Sequence, residues 1–138
     1  MLPTGFTYHS LRHVDAALGA AADSKTKVAL VTPQGGAAAA GPEIFLEMYR
    51  QGQAHFPETE SSAIIDCEGD AGTAMRALRC GWRHLVFAGS DEVRQKLQDM
   101  ADQLGGTLER SRPDTIDLVA TRDPAWVVRQ ALTQSTSN

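Results

Sequence analysis

Short apolar runs alternate with longer amphipathic stretches along this chain of 138 residues. The run at 27–32 (KVALVT) is rich in β-branched side chains, and further apolar runs lie at 62–67 (SAIIDC), 84–88 (HLVFA) and 115–120 (TIDLVA). Runs of this length and composition are typical of buried strands. Residues 107–109 form a further short strand in this interpretation.

Between these runs, apolar residues recur at spacings of three and four, which predicts amphipathic helices. Residues that suit helix starts stand where the pattern requires them: Pro42 as a first helical residue, and Asp70, Ser90 and Asp123 as N-caps. For the helix at Pro42, a start in the preceding alanine run with a kink at the proline is the alternative. The predicted helices cover 9–22, 42–52, 73–81, 90–104 and 124–133.

The pattern also predicts which helix faces are buried. In the helix at 42–52, Ile44, Phe45 and Met48 form the expected buried face. In the last helix, the expected face contains Trp126, Val127, Ala131 and Leu132.

The element order is one helix, three strand–helix units, and then two strands followed by a helix. Strands that alternate with helices predict a mostly parallel sheet, here of four to five strands, in an α/β three-layer sandwich of the flavodoxin-like or Rossmann-like kind with an extra N-terminal helix. About five residues separate 107–109 from 115–120, too few for a parallel crossover. Either these two form an antiparallel pair at the edge, or one is not a strand. A half-barrel that dimerises is the second interpretation of the fold.

We expect a single domain over residues 1–138, with loose tails at 1–8 and 134–138. A chain of this length can bury a sizeable core. No apolar run approaches the ~20 residues that span a bilayer, and the N-terminus lacks the charged and apolar segments of a signal peptide. These features predict a cytoplasmic protein with no membrane partner.

The net charge and the distribution of basic residues further limit the classes of partner that we expect. The formal net charge is −4 and the pI about 5.5, with lysine and arginine scattered along the chain. A mildly acidic surface without a basic patch is a poor match for nucleic acid. Cys67 and Cys80 have neither a metal-binding nor a CxxC spacing.

Parallel strands place their carboxyl ends on one edge of a sheet, where ligands of open α/β folds bind. At the first strand end, Gln34-Gly35-Gly36 precedes a helix, and its backbone N–H groups could meet an anion. The spacing matches neither GxxxxGK[ST] nor GxGxxG. Arg122 could bind a carboxylate or phosphate as a fork. The predicted ligand-binding residues are Thr32, Gln34, Gly35, Gly36, Asp66, Ser90 and Arg122.

The acidic turn Asp66-Cys67-Glu68-Gly69-Asp70 has two interpretations. Its carboxylates could hold Mg²⁺ or supply a general base. More simply, Asp70 caps a helix and Glu68 is solvated, which leaves Asp66 as the residue without a structural explanation.

Cys67 and the histidines favour structural roles. Burial and three acidic neighbours make Cys67 an inert thiol, although it lies near a helix N-terminus. His9 and His13 are four apart, as a metal pair on a helix would be. No third ligand accompanies them, so we interpret them as surface residues of a helix and predict no metal site.

Three hypotheses of function follow. The first is a domain that binds a small anionic ligand, such as a phosphate-bearing metabolite or a nucleotide, at the carboxyl edge of the sheet. The second is a non-catalytic structural or interaction module that forms a homodimer. The third is a hydrolase or lyase that uses Asp66 with a metal. The sequence identifies no cofactor and does not decide whether the protein is an enzyme.

Overall fold

The structure is a computed structural model that describes residues 4–136. The strands are β1 (Thr4–Thr7), β2 (Val28–Val31), β3 (Ser61–Asp66), β4 (His84–Val86), β5 (Thr107–Glu109) and β6 (Ile116–Asp117). The helices are α1 (Leu11–Ser24), α2 (Gly36–Ala40), α3 (Pro42–His55), α4 (Ala71–Cys80), α5 (Asp91–Leu104) and α6 (Pro124–Thr136).

The strands form a six-stranded, all-parallel sheet flanked by helices, in the order β5-β4-β3-β2-β1-β6. This confirms the predicted three-layer α/β sandwich. Phe6 of β1 lies opposite Leu30 of β2 on one side and Ile116 of β6 on the other. In the second half of the chain, Ile65 of β3 lies opposite Leu85 of β4.

The first strand corrects the prediction of a loose segment at 1–8. Residues 4–7 are a strand with a neighbour on each side, and Phe6 and Tyr8 are fully buried. Phe6 and the threonines favour a strand and Gly5 disfavours one, so these four residues give only a short signal without the pairing on both sides. Residues 1–3 lie outside the described residues.

The C-terminal tail is also shorter than predicted. Helix α6 reaches Thr136, so a loose tail at 134–138 is wrong for residues 134–136. Residues 137–138 lie outside the described part of the chain.

The predicted antiparallel edge pair is wrong. β5 pairs with β4 and β6 pairs with β1, and both pairs are parallel. The minimum length of a crossover applies only to two strands that are neighbours in the sheet. Because β5 and β6 have different neighbours, the short connection between them does not limit their direction.

The chain divides into two compact units. Unit 1 contains residues 4–31, 47–63 and 114–136, and unit 2 contains residues 32–46 and 64–113. That the whole chain is one domain stays a prediction.

In unit 1, α1 packs against α6, and both helices contact the strands beside them. Val128 and Leu132 are the fully buried residues of α6, whereas Trp126 is 54% exposed. The predicted buried face is therefore wrong at Trp126. Residues two apart on a helix point about 200° apart, so burial of Val128 turns Trp126 outward.

In unit 2, Gly41 separates α2 from the start of α3 and has a φ of 99°. Pro42 is the first residue of α3, as predicted, and its carbonyl accepts a hydrogen bond from the indole N–H of Trp82 at 2.9 Å. Phe45 is buried, as predicted, but Ile44 is 48% exposed. The first turn of α3 therefore carries one apolar side chain, Ile44, outside its buried face.

The predicted caps of α4 and α5 are confirmed. The carboxylate of Asp70 accepts from the N–H of Thr73, and the hydroxyl of Ser90 accepts from the N–H of Val93. These caps fix where each helix leaves the carboxyl edge of the sheet. Among the described residues, no helix is long and apolar enough to cross a membrane.

Candidate functional site

In unit 2, Thr32 and Asp66 meet at the carboxyl edge of the sheet. Thr32 directly follows β2 and Asp66 ends β3. The backbone N–H of Asp66 donates to the hydroxyl of Thr32 at 2.9 Å, and both residues are buried. The structure thus joins two of the predicted site residues.

Arg112 completes this network, and sequence reasoning missed it. Its Nη1 lies 3.0 Å from Oδ2 of Asp66 and donates to the carbonyl of Thr32 at 2.6 Å. Oδ1 of Asp66 accepts from the backbone N–H of Glu68 at 2.9 Å. Both carboxylate oxygens of Asp66 therefore have partners. These contacts give Asp66 a structural role, which the sequence alone did not reveal.

The chain gave no signal for this contact. Arg112 lies in the turn Arg110-Ser111-Arg112-Pro113-Asp114, and it is 46 residues away from Asp66. An arginine in a polar turn is usually solvated. Only the path of the chain brings this one to the end of β3.

The commitment of Asp66 to Arg112 weakens the hypothesis of a metal-dependent hydrolase or lyase. The guanidinium of Arg112 lies 3.0 Å from this carboxylate, so a metal cation bound there would be repelled by a positive charge. Within residues 4–136, no three His, Cys, Asp or Glu side chains are grouped so that they could hold a metal ion.

A cleft of about 310 Å³ opens beside this network. Gly35 precedes α2 at a φ of 75° and lies on the cleft wall with Ala38. The lining also includes the exposed residues Glu68 and Asp70. Two carboxylates beside the loop disfavour an anion, so the glycine loop is a poor anion site.

The remaining predicted residues of unit 2 lie at different positions around this edge. Gln34 is exposed. A Cβ on Gly36 would meet the ring of Pro33 at 2.7 Å, so this glycine serves the close packing of its own turn. Ser90 caps α5 and does not line the cleft.

Cys67 is a buried thiol. Burial, together with the charges of Asp66 and Asp70, raises its pKa to about 12. The thiol is therefore protonated at neutral pH and a weak nucleophile. This agrees with the inert role that the sequence favoured.

A second group of polar residues lies in unit 1, at the carboxyl ends of β1 and β6. Arg122 follows β6 and is exposed. The guanidinium of Arg12, in the first turn of α1, donates to the carbonyl of Arg122 at 2.5 Å. Arg122 is thus the one predicted site residue that belongs to unit 1, and a second arginine lies beside its backbone.

His9 and His13 correct the interpretation of two surface residues on a helix. His9 lies between β1 and the N-cap Ser10, and His13 is only 6% exposed. Nε2 of His9 is 2.8 Å from Oδ1 of Asp117, at the end of β6. The backbone N–H of His9 donates to Nδ1 of His13 at 2.9 Å. The spacing of four places the ring of His13 where its Nδ1 can accept from the backbone N–H of His9.

The carboxyl ends of β1 and β6 lie at a switch point in the topology of the sheet. From β1 the chain advances through β2, β3 and β4 to β5, and then returns to place β6 on the other side of β1. The strand order therefore reverses between β1 and β6. In open α/β sheets, ligands bind outside the carboxyl ends of the strands at such a point.

Fold and site define this molecule as an α/β protein with a parallel sheet and polar residues at the carboxyl edge. No protein-family model matches the chain, and no curated protein matches it significantly.

Proposed function

We propose that this protein binds a small anionic ligand, such as a phosphate-bearing metabolite or a nucleotide, at the carboxyl ends of β1 and β6. The observation that carries this proposal is the hydrogen bond from Arg12 to the carbonyl of Arg122. It brings together the two segments that follow neighbouring parallel strands, each with an arginine, where the strand order reverses.

The position of Arg12 adds an electrostatic argument. The N-terminal end of a helix carries partial positive charge, so a cation in the first turn is unfavourable by about 0.3–1 kcal/mol. Neither α1 nor α6 has an acidic residue in its first turn. The positive charge of Arg12 therefore adds to the helix dipole, and a bound anion would relieve this repulsion.

The geometry favours this edge of unit 1 over the cleft of unit 2 for an anion. The guanidinium of Arg112 is already paired with Asp66, and the cleft presents Glu68 and Asp70. Arg12 and Arg122 are both exposed, as a ligand requires. In this proposal Arg122 keeps its predicted role, whereas the glycine loop contributes no ligand contact.

Titration with inorganic pyrophosphate, inorganic phosphate and citrate tests the proposal. At a ligand concentration of 100 times Kd, binding stabilises the folded state by about 2.7 kcal/mol, which raises Tm by several degrees. We expect Arg122→Gln and Arg12→Gln to reduce or abolish this rise. Arg50→Gln removes an exposed arginine of α3 in the same unit and should leave it unchanged.

Amide chemical-shift mapping gives the location. The shifts should concentrate at residues 9–12 and 119–123. No rise in Tm with any of the three anions, or equal losses in Arg50→Gln and Arg122→Gln, would contradict the proposal.

A homodimeric interaction module remains the second candidate, because unit 1 exposes apolar side chains near an edge strand. β6 lies at the end of the strand order. Ile116, Val119 and Trp126 are 40%, 59% and 54% exposed. Exposed apolar groups at a sheet edge favour association with another chain. Light scattering should then give a dimer that Ile116→Lys with Trp126→Ser converts to monomer, and a monomeric wild type at micromolar concentration would exclude it.

A further inference from the structure

The hydrogen bonds of His9 and His13 define the tautomer of each neutral ring. A carboxylate can only accept, so Nε2 of His9 carries the proton that it donates to Asp117. The backbone N–H of His9 can only donate, so Nδ1 of His13 is unprotonated. These tautomers are assigned from the hydrogen-bond partners.

The assignment gives the two rings opposite roles. In its neutral form, His9 has its lone pair on Nδ1, which can accept a proton. His13 has its N–H on Nε2, which can donate a hydrogen bond. The ring centroids are 5.8 Å apart and the rings are perpendicular.

The other two ring nitrogens, Nδ1 of His9 and Nε2 of His13, are available to a ligand. Among the described residues, neither Nδ1 of His9 nor Nε2 of His13 has a hydrogen-bond partner. No buried side-chain nitrogen or oxygen in this part of the chain lacks a partner, so both atoms reach solvent.

Asp117 is itself fixed. Its Oδ1 accepts from the backbone N–H of Val119 at 2.9 Å in addition to the contact with His9. An aspartate held in this way orients the imidazole through the Nε2–H hydrogen bond. Asp117 is a positioning residue for His9.

We propose that His9 and His13 are an acid–base pair that acts on a small anion with a carbonyl group and an acidic C–H beside it, the class of 2-oxo acids. Nδ1 of His9 takes the proton from carbon. The electron pair of the C–H bond moves to form the enolate, whose oxygen accepts a hydrogen bond from Nε2–H of His13. Return of the proton from His9 to carbon regenerates the substrate, so the step needs no oxidant, reductant or further reactant.

The substrate class rests on the anion site proposed above, because Arg12 and Arg122 would bind the carboxylate. Arg12 and His13 are consecutive residues in the first turn of α1, and a hydrogen bond holds Arg12 beside Arg122. An anion held by these arginines would therefore lie near the acid–base pair.

Exchange of the methyl protons of pyruvate in D₂O, followed by proton NMR, tests the pair. We expect exchange above the buffer rate with the wild-type protein. General acid–base catalysis contributes about 100- to 10,000-fold, so His9→Gln should return the rate to that of buffer. Asp117→Asn should cause a smaller loss, because the base remains but loses its orienting partner.

The chain offers a matched control. Nδ1 of His55 lies 2.8 Å from Asp15, a second histidine–aspartate pair in unit 1. His55→Gln should exchange pyruvate at the wild-type rate. An equal loss in His55→Gln and His9→Gln would overturn the proposal.

Saturation-transfer NMR with pyruvate separates the two proposals. If pyruvate contacts the protein but does not exchange, the acid–base pair is wrong and the anion site stands. If pyruvate makes no contact, the anion site is wrong for carboxylates and this substrate class fails with it. The nitrogen-15 shifts of the neutral rings give a readout independent of activity: both should show the proton on Nε2, and a proton on Nδ1 of either ring would overturn the assignment.

Discussion

Arg112 and Asp66 form an ion pair at 3.0 Å in which the carboxylate is almost completely buried, with only 3% of its side chain exposed. The same Nη1 of Arg112 donates to the carbonyl of Thr32, which directly follows β2. One side chain from the segment after β5 thus ties together the ends of two central strands. This network makes Asp66 a structural residue.

Removal of one partner of this pair should be strongly destabilising. Arg112→Met leaves the carboxylate buried without its cation, and we expect a loss of about 3–5 kcal/mol in the free energy of unfolding. Urea unfolding followed by circular dichroism measures the loss. Asp66→Asn in the Arg112→Met background removes the uncompensated charge and should recover part of it.

Arg110→Met is the matched control for this prediction. Arg110 belongs to the same turn, but its ion pair with Asp91 is exposed on both sides. Exposed pairs contribute little, so this variant should unfold close to the wild type. Equal losses in the two arginine variants would show that the turn, and not the buried pair, matters.

Cys67 should be unreactive in the folded protein. Its pKa is raised to about 12 by burial and by the carboxylates of Asp66 and Asp70, so almost no thiolate exists at pH 8. In a Cys80→Ser variant, iodoacetamide followed by mass spectrometry should find Cys67 unmodified after an hour. The same variant should be labelled fully in 8 M urea, and stoichiometric labelling of the folded form within minutes would contradict the assignment.

Gly52 allows α3 to approach α1 closely. A Cβ at this position would lie 2.3 Å from Cγ1 of Val14. Gly52→Ala should therefore destabilise unit 1 by about 1–3 kcal/mol through overpacking, even though alanine favours a helix. Val14→Ala removes Cγ1 and leaves Cδ1 of Leu18 at 3.2 Å and the Cβ at position 14 at 3.3 Å as the nearest atoms, so in that background the same change should cost much less. A double-mutant cycle measured by urea unfolding gives this coupling directly.

His13 should make stability depend on pH. Its pKa is lowered, first by burial, then by His9 and Arg12, and Asp117 opposes them. The folded state therefore binds fewer protons than the unfolded state between the two pKa values, and stability rises with pH there. The contribution is complete above the ordinary histidine pKa of about 6.5 and is lost as the pH falls through the lower pKa of the folded state.

Unfolding free energies at pH 5 and pH 7.5 test this sign. The difference should shrink in His13→Asn and should persist in His55→Gln. A wild type that is equally stable at both values would contradict the role of His13.

Much of the fold follows from local sequence. The spacing of Leu11, Val14 and Leu18 predicts α1, and the run at 28–31 predicts β2, because one-dimensional periodicity records which face is buried. Caps such as Asp70 and Ser90 are also local, since each hydroxyl or carboxylate bonds an N–H three residues later. The strand at 4–7 is not predicted because it is short and contains Gly5, and its pairing with β2 and β6 is not visible in the local sequence.

The candidate site was likewise predictable from the sequence only in part. By itself the sequence determined that polar residues follow the strands, among them Asp66 and Arg122, because strand and turn signals are local. Tertiary structure alone decided their partners. Arg112 reaches Asp66, and Asp117 reaches His9, across long stretches of chain whose ends meet only in the folded sheet. Hydrogen bonds of this kind depend on strand order, and strand order is fixed by the packing of the whole sheet rather than by any segment of it.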